Sequence, residues 1–284
     1  MNSSTGAESV LADGRVLRHL VAAVFRVWAM IAMACACNVA SASDAIVAIV
    51  IDDLGNRPEL DNRIVALPAP VTVAILPFTP GARQLSLHAR QQGKEVLLHL
   101  PMEAHHDNHL LGAGALHRSM DDQLLGSHVA EAIASVPNAI GINNHMGSAF
   151  SEDPSAMRSL MQAIHRHRSL FYLDSRTTGG SVARQAAAAA HVPYLERDVF
   201  LDDVDEPAAI AAEFDHLVRI ARQRGYALAI GHPYPTTLAL LERRLPTLAE
   251  QGIKVVGIFS YMNYVAVQPS GAANPATTLL DTAP

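Results

Sequence analysis

The chain has only two cysteines among its 284 residues, Cys35 and Cys37, and both lie in the first 42 positions. The rest is free of thiols, so neither a disulfide framework nor a catalytic cysteine is available to the body of the protein. Positive charge is also in short supply. The 21 Lys and Arg stand against 27 Asp and Glu, a formal net charge of -6, which offers no basic surplus for nucleic acid or anionic lipid. A membrane-length apolar run is absent as well: Val27–Ala36 (VWAMIAMACA) is far short of the ~20 residues that span a bilayer. What the chain does have is 50% hydrophobic residues against 17% charged, enough for a full core and unlike a disordered chain. It also has 14 histidines, and histidine is the commonest metal ligand and proton carrier near neutral pH.

Arg15, Arg18 and Arg26 precede the short apolar run, and Ala40-Ser41-Ala42 places small residues where a signal peptidase reads. Residues 1–42 are therefore expected to be a signal peptide cleaved after Ala42, or an N-terminal anchor if uncleaved. A lipoprotein reading centred on Cys37 is weak, because Ala34-Cys35-Ala36 makes a poor lipid-attachment box. Export without disulfides points to a bacterial periplasm. One domain is expected over 43–264. The Pro-, Ala- and Thr-rich stretch after Met262, with 265–284 as the tail proper, carries no core pattern and is expected to be loose.

From Ala45 onward, short β-branched and aliphatic runs alternate with amphipathic stretches, as parallel strands joined by crossover helices do. Strands are expected at Ile46–Ile51, Val71–Leu76, Glu95–Leu100, Ala139–Asn143, Leu170–Leu173, Tyr226–Ile230 and Lys254–Phe259. Helices are expected at Pro58–Leu67, Ala82–Gln92, Asp121–Val136, Pro154–His167, Ser181–Ala190, Pro207–Arg224 and Thr237–Gln251. No internal repeat divides the chain. The fold class is α/β, a barrel of about seven strands, with a doubly wound open sheet as the structural alternative.

Sites in such folds form where the strands end. Five strand ends here carry polar groups: Asp52-Asp53, His99 with Glu103, Asn143-Asn144-His145, Asp174 with Arg176, and Gly231-His232-Pro233. Each has an ordinary explanation. An Asp pair caps helices, a lone strand-end His is usually a hydrogen-bonded core residue, and Gly-His-Pro makes a turn. Their coincidence on successive strands is what favours a site. Two imidazoles and a carboxylate, with a fourth position left to water, are the ligand set of a catalytic zinc or similar divalent metal. Asp53, His99 and His145 can supply it. Asp52 is then the candidate base and His232 the candidate acid, a constellation suited to hydrolysis of an amide or ester.

The residues Ile51-Asp52-Asp53-Leu54-Gly55 resemble the first motif of carbohydrate esterase family 4, the polysaccharide deacetylases with a NodB-like domain. In that motif the first Asp is the base and the second binds metal. Gly93 to His99 resembles the approach to that family's second motif. The full set IDDLG, LHLPME, GINNHMGS, FYLDSRTT and AIGHPYPTTL, from about Ala45 to Met262, is similar to the divergent polysaccharide deacetylases. The resemblance implies a distorted (β/α) barrel and an envelope polysaccharide or peptidoglycan-derived glycan as partner. Two motifs depart from the main family. Glu103 stands where a second His is usual, as a replacement ligand or as a partner orienting His99. Asn143 to Ser148 occupies the place of an Arg-Pro-Pro-Tyr-Gly motif, with His145 supplying the missing ligand. The departures leave a second function open, an inactive carbohydrate-binding or interaction protein on the same fold. A metallo-phosphoesterase ranks lower, since no Arg or Lys cluster accompanies the motifs.

Asn144, Asp174 and Arg176 are candidate substrate or orienting residues, the last two as an ion pair. Other features read as ordinary surface. His105, His106 and His109 form a polar loop, and His165 and His167 sit at a helix end that favours cations. Asp202, Asp203, Asp205 and Glu206 are expected as an exposed cap before Pro207.

Overall fold

The computed structural model describes residues 45–268, residue 168 excepted. The leader expected over 1–42 and most of the expected tail lie outside the described residues. Among the described residues, no helix is long and apolar enough to cross a membrane.

The first strand, β1 (Ala45–Leu54), is a run of aliphatic residues buried on both faces. It is followed by β2 (Thr72–Ile75), β3 (Val96–Met102), β4 (Ala139–Met146), β5 (Phe171–Asp174), β6 (Tyr194–Glu196), β7 (Val199–Phe200), β8 (Tyr226–Gly231) and β9 (Ile253–Val255). All pair in parallel, in the order β6-β5-β4-β3-β2-β1-β8-β7, with β9 beside β1. The two edge strands, β6 and β7, are separated in sequence only by Arg197 and Asp198. A link that short holds the two edges within about 10 Å of each other, so the sheet must curl into a barrel with one unpaired seam.

Side chains alternate across each strand. Val47, Ile49 and Ile51 of β1 join the core beneath the outer helices, while Ile46, Ala48 and Val50 face the barrel interior. Leu97, Leu173, Leu195, Leu228 and Ile230 fill the same interior. The helices are α1 (Pro58–Val65), α2 (Ala82–Gln91), α3 (Asp122–Ser135), α4 (Ser148–Ser151), α5 (Pro154–His165), α6 (Ala183–Ala189), α7 (Pro207–Arg224), α8 (Pro235–Arg244) and α9 (Ile258–Ala266). Proline opens α1, α5, α7 and α8, where its missing N–H costs nothing. Asp121 and Asp153 cap α3 and α5 through their carboxylates.

Three expectations are corrected. The strand Lys254–Phe259 is instead β9 followed at Ile258 by α9, whose Ile258, Tyr261 and Val265 enter the interior core; the ordered chain therefore runs past Met262. The helix Thr237–Gln251 ends at Arg244, because Pro246 cannot donate and the chain continues as two 3-10 turns. Finally, β6 and β7 were not expected at all.

Candidate active site

Consecutive strand residues ordinarily face opposite sides, yet both Asp52 and Asp53 face the mouth of the barrel. The reason is a bulge. Ile51 lies opposite Val73 and Leu54 opposite Ile75, three steps on β1 against two on β2. Asp53 takes up the extra residue in the left-handed region, at φ 59°. That conformation costs a non-glycine of order 1–3 kcal/mol, a strain typical of functional sites. Met146 and Arg176, beyond the inward rows of β4 and β5, share it at φ 55° and 52°. Gly55 follows at φ +119°, and any Cβ there would fall 2.2 Å from Thr79 Oγ1, which explains the glycine of the IDDLG motif.

The inward rows of the barrel continue upward as a polar layer. Above Leu97 comes His99, above Gly141 come Asn143 and His145, above Val50 comes Asp52, and above Ile230 comes His232. Two of these side chains, His99 and His145, converge with Asp53. Asp53 Oδ1 lies 2.8 Å from His145 Nδ1 and 3.1 Å from His99 Nε2, and the two nitrogens are 3.2 Å apart. Ligands ~2.0–2.2 Å from a tetrahedral ion stand roughly 3.3–3.5 Å from one another, so the triangle is close to that of a three-ligand site. Asp53 Oδ1 is buried and has no hydrogen-bond partner among the described residues; it is near two nitrogens and bonded to neither. A buried carboxylate oxygen left in this state fits a cation. Burial alone would push the Asp53 carboxyl up, but the adjacent His145 and His99 imidazoles overcome it and hold the group well below the usual carboxylate range. Asp53 is thus ready to bind metal in its ionised form.

Asn143, and not its neighbour Asn144, fixes one corner of this triangle, His99, together with the adjacent Asp52. Its Oδ1 is 3.0 Å from His99 Nδ1, and its Nδ2 donates to Asp52 Oδ1 at 2.8 Å and to Ser175 Oγ at 3.3 Å. The amide orientation assigns the His99 proton to Nδ1 and leaves the Nε2 lone pair aimed at the triangle. Asp52, 2% exposed, is itself 3.7 Å from His99 Nδ1. Burial raises its pKa above the ordinary aspartate value, against the opposing pull of His99 and His232. His99 is raised too: burial acts to lower it, and the negative charges of Asp52 and Asp53 win.

His232 faces this cluster from β8, its Nε2 3.9 Å from Asp53 Oδ2. Its Nδ1 is 2.9 Å from Asp202 Oδ1, while Asp202 Oδ2 accepts from the His232 backbone N–H at 2.6 Å and from Thr237 Oγ1 at 2.7 Å. Burial lowers the His232 pKa, but the hydrogen bond to Asp202 and the charges of Asp52 and Asp53 push it up to about 9. Asp202 corrects the expectation of an exposed cap, being 4% exposed and wholly engaged with the end of β8.

Four other candidates are placed elsewhere. Glu103 stands outside the cluster: Arg118 donates to it from Nε (3.0 Å), Nη2 (2.7 Å) and its backbone N–H (2.9 Å), and a carboxylate so paired has no charge to spare for a metal or for His99. Asn144 accepts from Tyr172 OH and Ser175 N–H and donates to the Met146 carbonyl, so its amide is used up in holding the end of β4. Asp174 and Arg176 form no side-chain ion pair. Asp174 accepts from the Arg176 backbone N–H, Ser181 and Tyr194, and the Arg176 guanidinium turns to Glu196 at 3.4 Å.

A sequence model of the divergent polysaccharide deacetylases matches residues 49–262. Among curated proteins, the uncharacterized protein YibQ of Escherichia coli is 39% identical over 223 residues, 78% of this chain and 69% of its own length. An uncharacterized protein of Haemophilus influenzae is 42% identical over 211 residues, 74% of each chain. Among solved structures, the uncharacterized protein ATU2773 of Agrobacterium tumefaciens is similar with a TM-score of 0.73 and 26% identity, over 77% of this chain and 89% of that one.

Proposed function

The chain belongs to the divergent polysaccharide deacetylase family, and from that premise we propose that it is a metal-dependent hydrolase removing N- or O-acetyl groups from an envelope carbohydrate. The observation that carries the reading is the Asp53, His99 and His145 triangle, with the buried Asp52 carboxylate and the Asp202-bound His232 imidazole beside it. A divalent ion, zinc by the ligand types, would be held by those three residues and would polarise the acyl carbonyl and make water more acidic. Asp52 receives the proton of the attacking water; its raised pKa and the Asn143 hydrogen bond suit it to hold and then release that proton. His232, held protonated by Asp202, presents Nε2–H from the end of the neighbouring β8, where it steadies the developing oxyanion and gives a proton to the leaving amine or alcohol. The leader-like residues 1–42 support export to the periplasm as the place of action.

One observation favours a second reading, a non-catalytic carbohydrate-binding protein: Glu103 stands where the wider family has an imidazole, and it is committed to Arg118. Metal analysis and acetate release distinguish the two. Wild-type protein is expected to retain about one zinc per chain and to release acetate from an acetylated oligosaccharide. Asp53→Asn should lose both. Zinc content equal in wild type and Asp53→Asn would overturn the metal site, and metal binding without acetate release from any acetylated glycan would favour the second reading.

A further inference from the structure

Beside the candidate catalytic residues, at the unpaired seam of the barrel, lies a cavity of about 590 Å³ lined by Arg176, Thr177, Arg197, Phe200 and Asp203 and closed by one side of α7. This volume is within the ~300–1,000 Å³ range of ordinary ligand pockets. It adjoins the active site directly, since the Phe200 ring lies 5.4 Å from the His232 ring, centroid to centroid. Arg197 follows two positions after the interior-facing Leu195, in the two-residue link between the sheet edges.

The charge arrangement in this cavity is unusual. Arg197 lies over the Phe200 ring, its guanidinium carbon 4.7 Å from the ring centroid. Nε donates to the Ser175 carbonyl at 2.8 Å and Nη2 to the Arg176 carbonyl at 3.1 Å. Nη1 has no hydrogen-bond partner, and the side chain no ion pair, among the described residues. Burial and the neighbouring Arg176 lower its pKa from the ordinary arginine value, against the opposing charges of Asp52, Asp203 and Asp174, none of which is in contact with it. The nearby Glu196 does not supply it, being shared between Arg176 at 3.4 Å and Arg184 at 2.5 Å. Asp198 is taken by Arg224 and Glu213 lies against His216. Of the carboxylates lining the cavity, Asp203 remains, exposed at the outer rim.

We propose that this cavity is an anion-binding subsite, in which Arg197, assisted by Arg176 at the rim, takes a carboxylate carried by the glycan whose acetyl group lies at the Asp53, His99 and His145 triangle. The proposal rests on the hydrolase reading for the position of the acetyl group. It narrows the substrate class to acidic polysaccharides. A planar guanidinium pinned by two carbonyls and an aromatic face keeps one edge fixed toward the cavity, which suits a carboxylate better than a flexible lysine would. Phe200 offers its remaining surface to a sugar ring between the two centres.

Calorimetry on the full, zinc-loaded chain tests this with two acetylated probes of equal length. One is a tetrasaccharide of alternating glucuronate and N-acetylglucosamine, the other a neutral N-acetylglucosamine tetramer. The acidic probe is expected to bind about 10-fold more tightly, as one charge-assisted hydrogen-bond pair allows. Arg197→Gln should bring the two probes to within about twofold of each other. Arg176→Gln should reduce the preference and Asp203→Asn increase it; both lie at the exposed rim and carry the test if Arg197→Gln does not fold. Equal affinities in the wild type, no binding of either probe, or a preference unmoved by these variants overturns the subsite. Acetate release from the neutral tetramer without any acid preference would sink the subsite and leave the hydrolase standing. Acid preference that persists in Asp53→Asn, with no acetate released by the wild type, would do the reverse.

Discussion

At the end of β5, Asp174 is buried with every oxygen served. One accepts from the Arg176 backbone N–H at 2.7 Å, the other from Ser181 Oγ at 2.7 Å and Tyr194 OH at 3.2 Å. At the end of β1, Asp53 presses an oxygen against two imidazole nitrogens and bonds to neither. Both are aspartates at the mouth of one barrel. The first is neutral-donor chemistry from one loop and from the β6 residue Tyr194, and it holds that loop to the sheet. The second has an oxygen with no hydrogen-bond donor among the described residues. Hydrogen-bond satisfaction, more than burial or position, separates a structural carboxylate from a functional one.

Substitutions around the two ends sharpen this contrast. The largest effect is expected at Asp52: Asp52→Asn should cut acetate release by roughly 10²–10⁴-fold, the usual contribution of a general base, with zinc content unchanged. Zinc loss in this variant would move Asp52 into the ligand set. Asn143→Leu frees the His99 tautomer and weakens metal affinity by about 10–100-fold, measured by competition with a chelator. An unchanged affinity would remove Asn143 from the centre.

The Asp202→Asn variant changes the pH response. In the proposed mechanism His232 acts protonated, so kcat/KM is expected to fall as pH rises through its pKa, held near 9 by Asp202. Without that carboxylate the alkaline limb should move to lower pH. The linked stability has a definite sign. A folded pKa above the ordinary 6.5 contributes stability that is complete below that pH and lost as pH rises through about 9. The variant should therefore lose stability mainly on the acid side of that window. An alkaline limb that stays in place would mean another group carries the proton.

The smallest functional effect is expected at β5. Asp174→Asn should leave zinc content and acetate release as they were and lower unfolding stability by about 2 kcal/mol, the scale of charge-assisted hydrogen bonds lost in a buried site; urea unfolding measures it. A loss of zinc there would break the distinction between the two ends.

The long strands and the grouping of Asp53, His99 and His145 were legible in the sequence because each rests on local pattern, aliphatic runs closing on polar strand ends. The parts that were not legible rest on distant contacts. Strands β6 and β7 have three and two residues, too few for any periodicity to register. The run from Lys254 reads as a strand through Phe259 because Ile258 and Phe259 are apolar, but Gly257 opens a helix there that buries Ile258 in the barrel interior and leaves Phe259 exposed. Asp202 was hidden among four acids that look like a solvated cap, and only the β8 end, 30 positions away, reveals its role. Asn143 was within reach: it lies two residues before His145, on the same face of the strand, whereas the preferred Asn144 points the other way.

The bulge in β1 has a consequence for inheritance. Because β1 uses three steps where β2 uses two, the number of residues between Ile51 and Leu54 matters separately from what they are. A point change there alters one letter of the site. A one-residue deletion would act like a frameshift, restoring even pairing with β2, drawing Leu54 toward the place of Asp53 and pulling Gly55 away from Thr79. Tolerance to insertion and deletion in this segment should therefore be far narrower than tolerance to substitution, and the count itself is part of the site's specification.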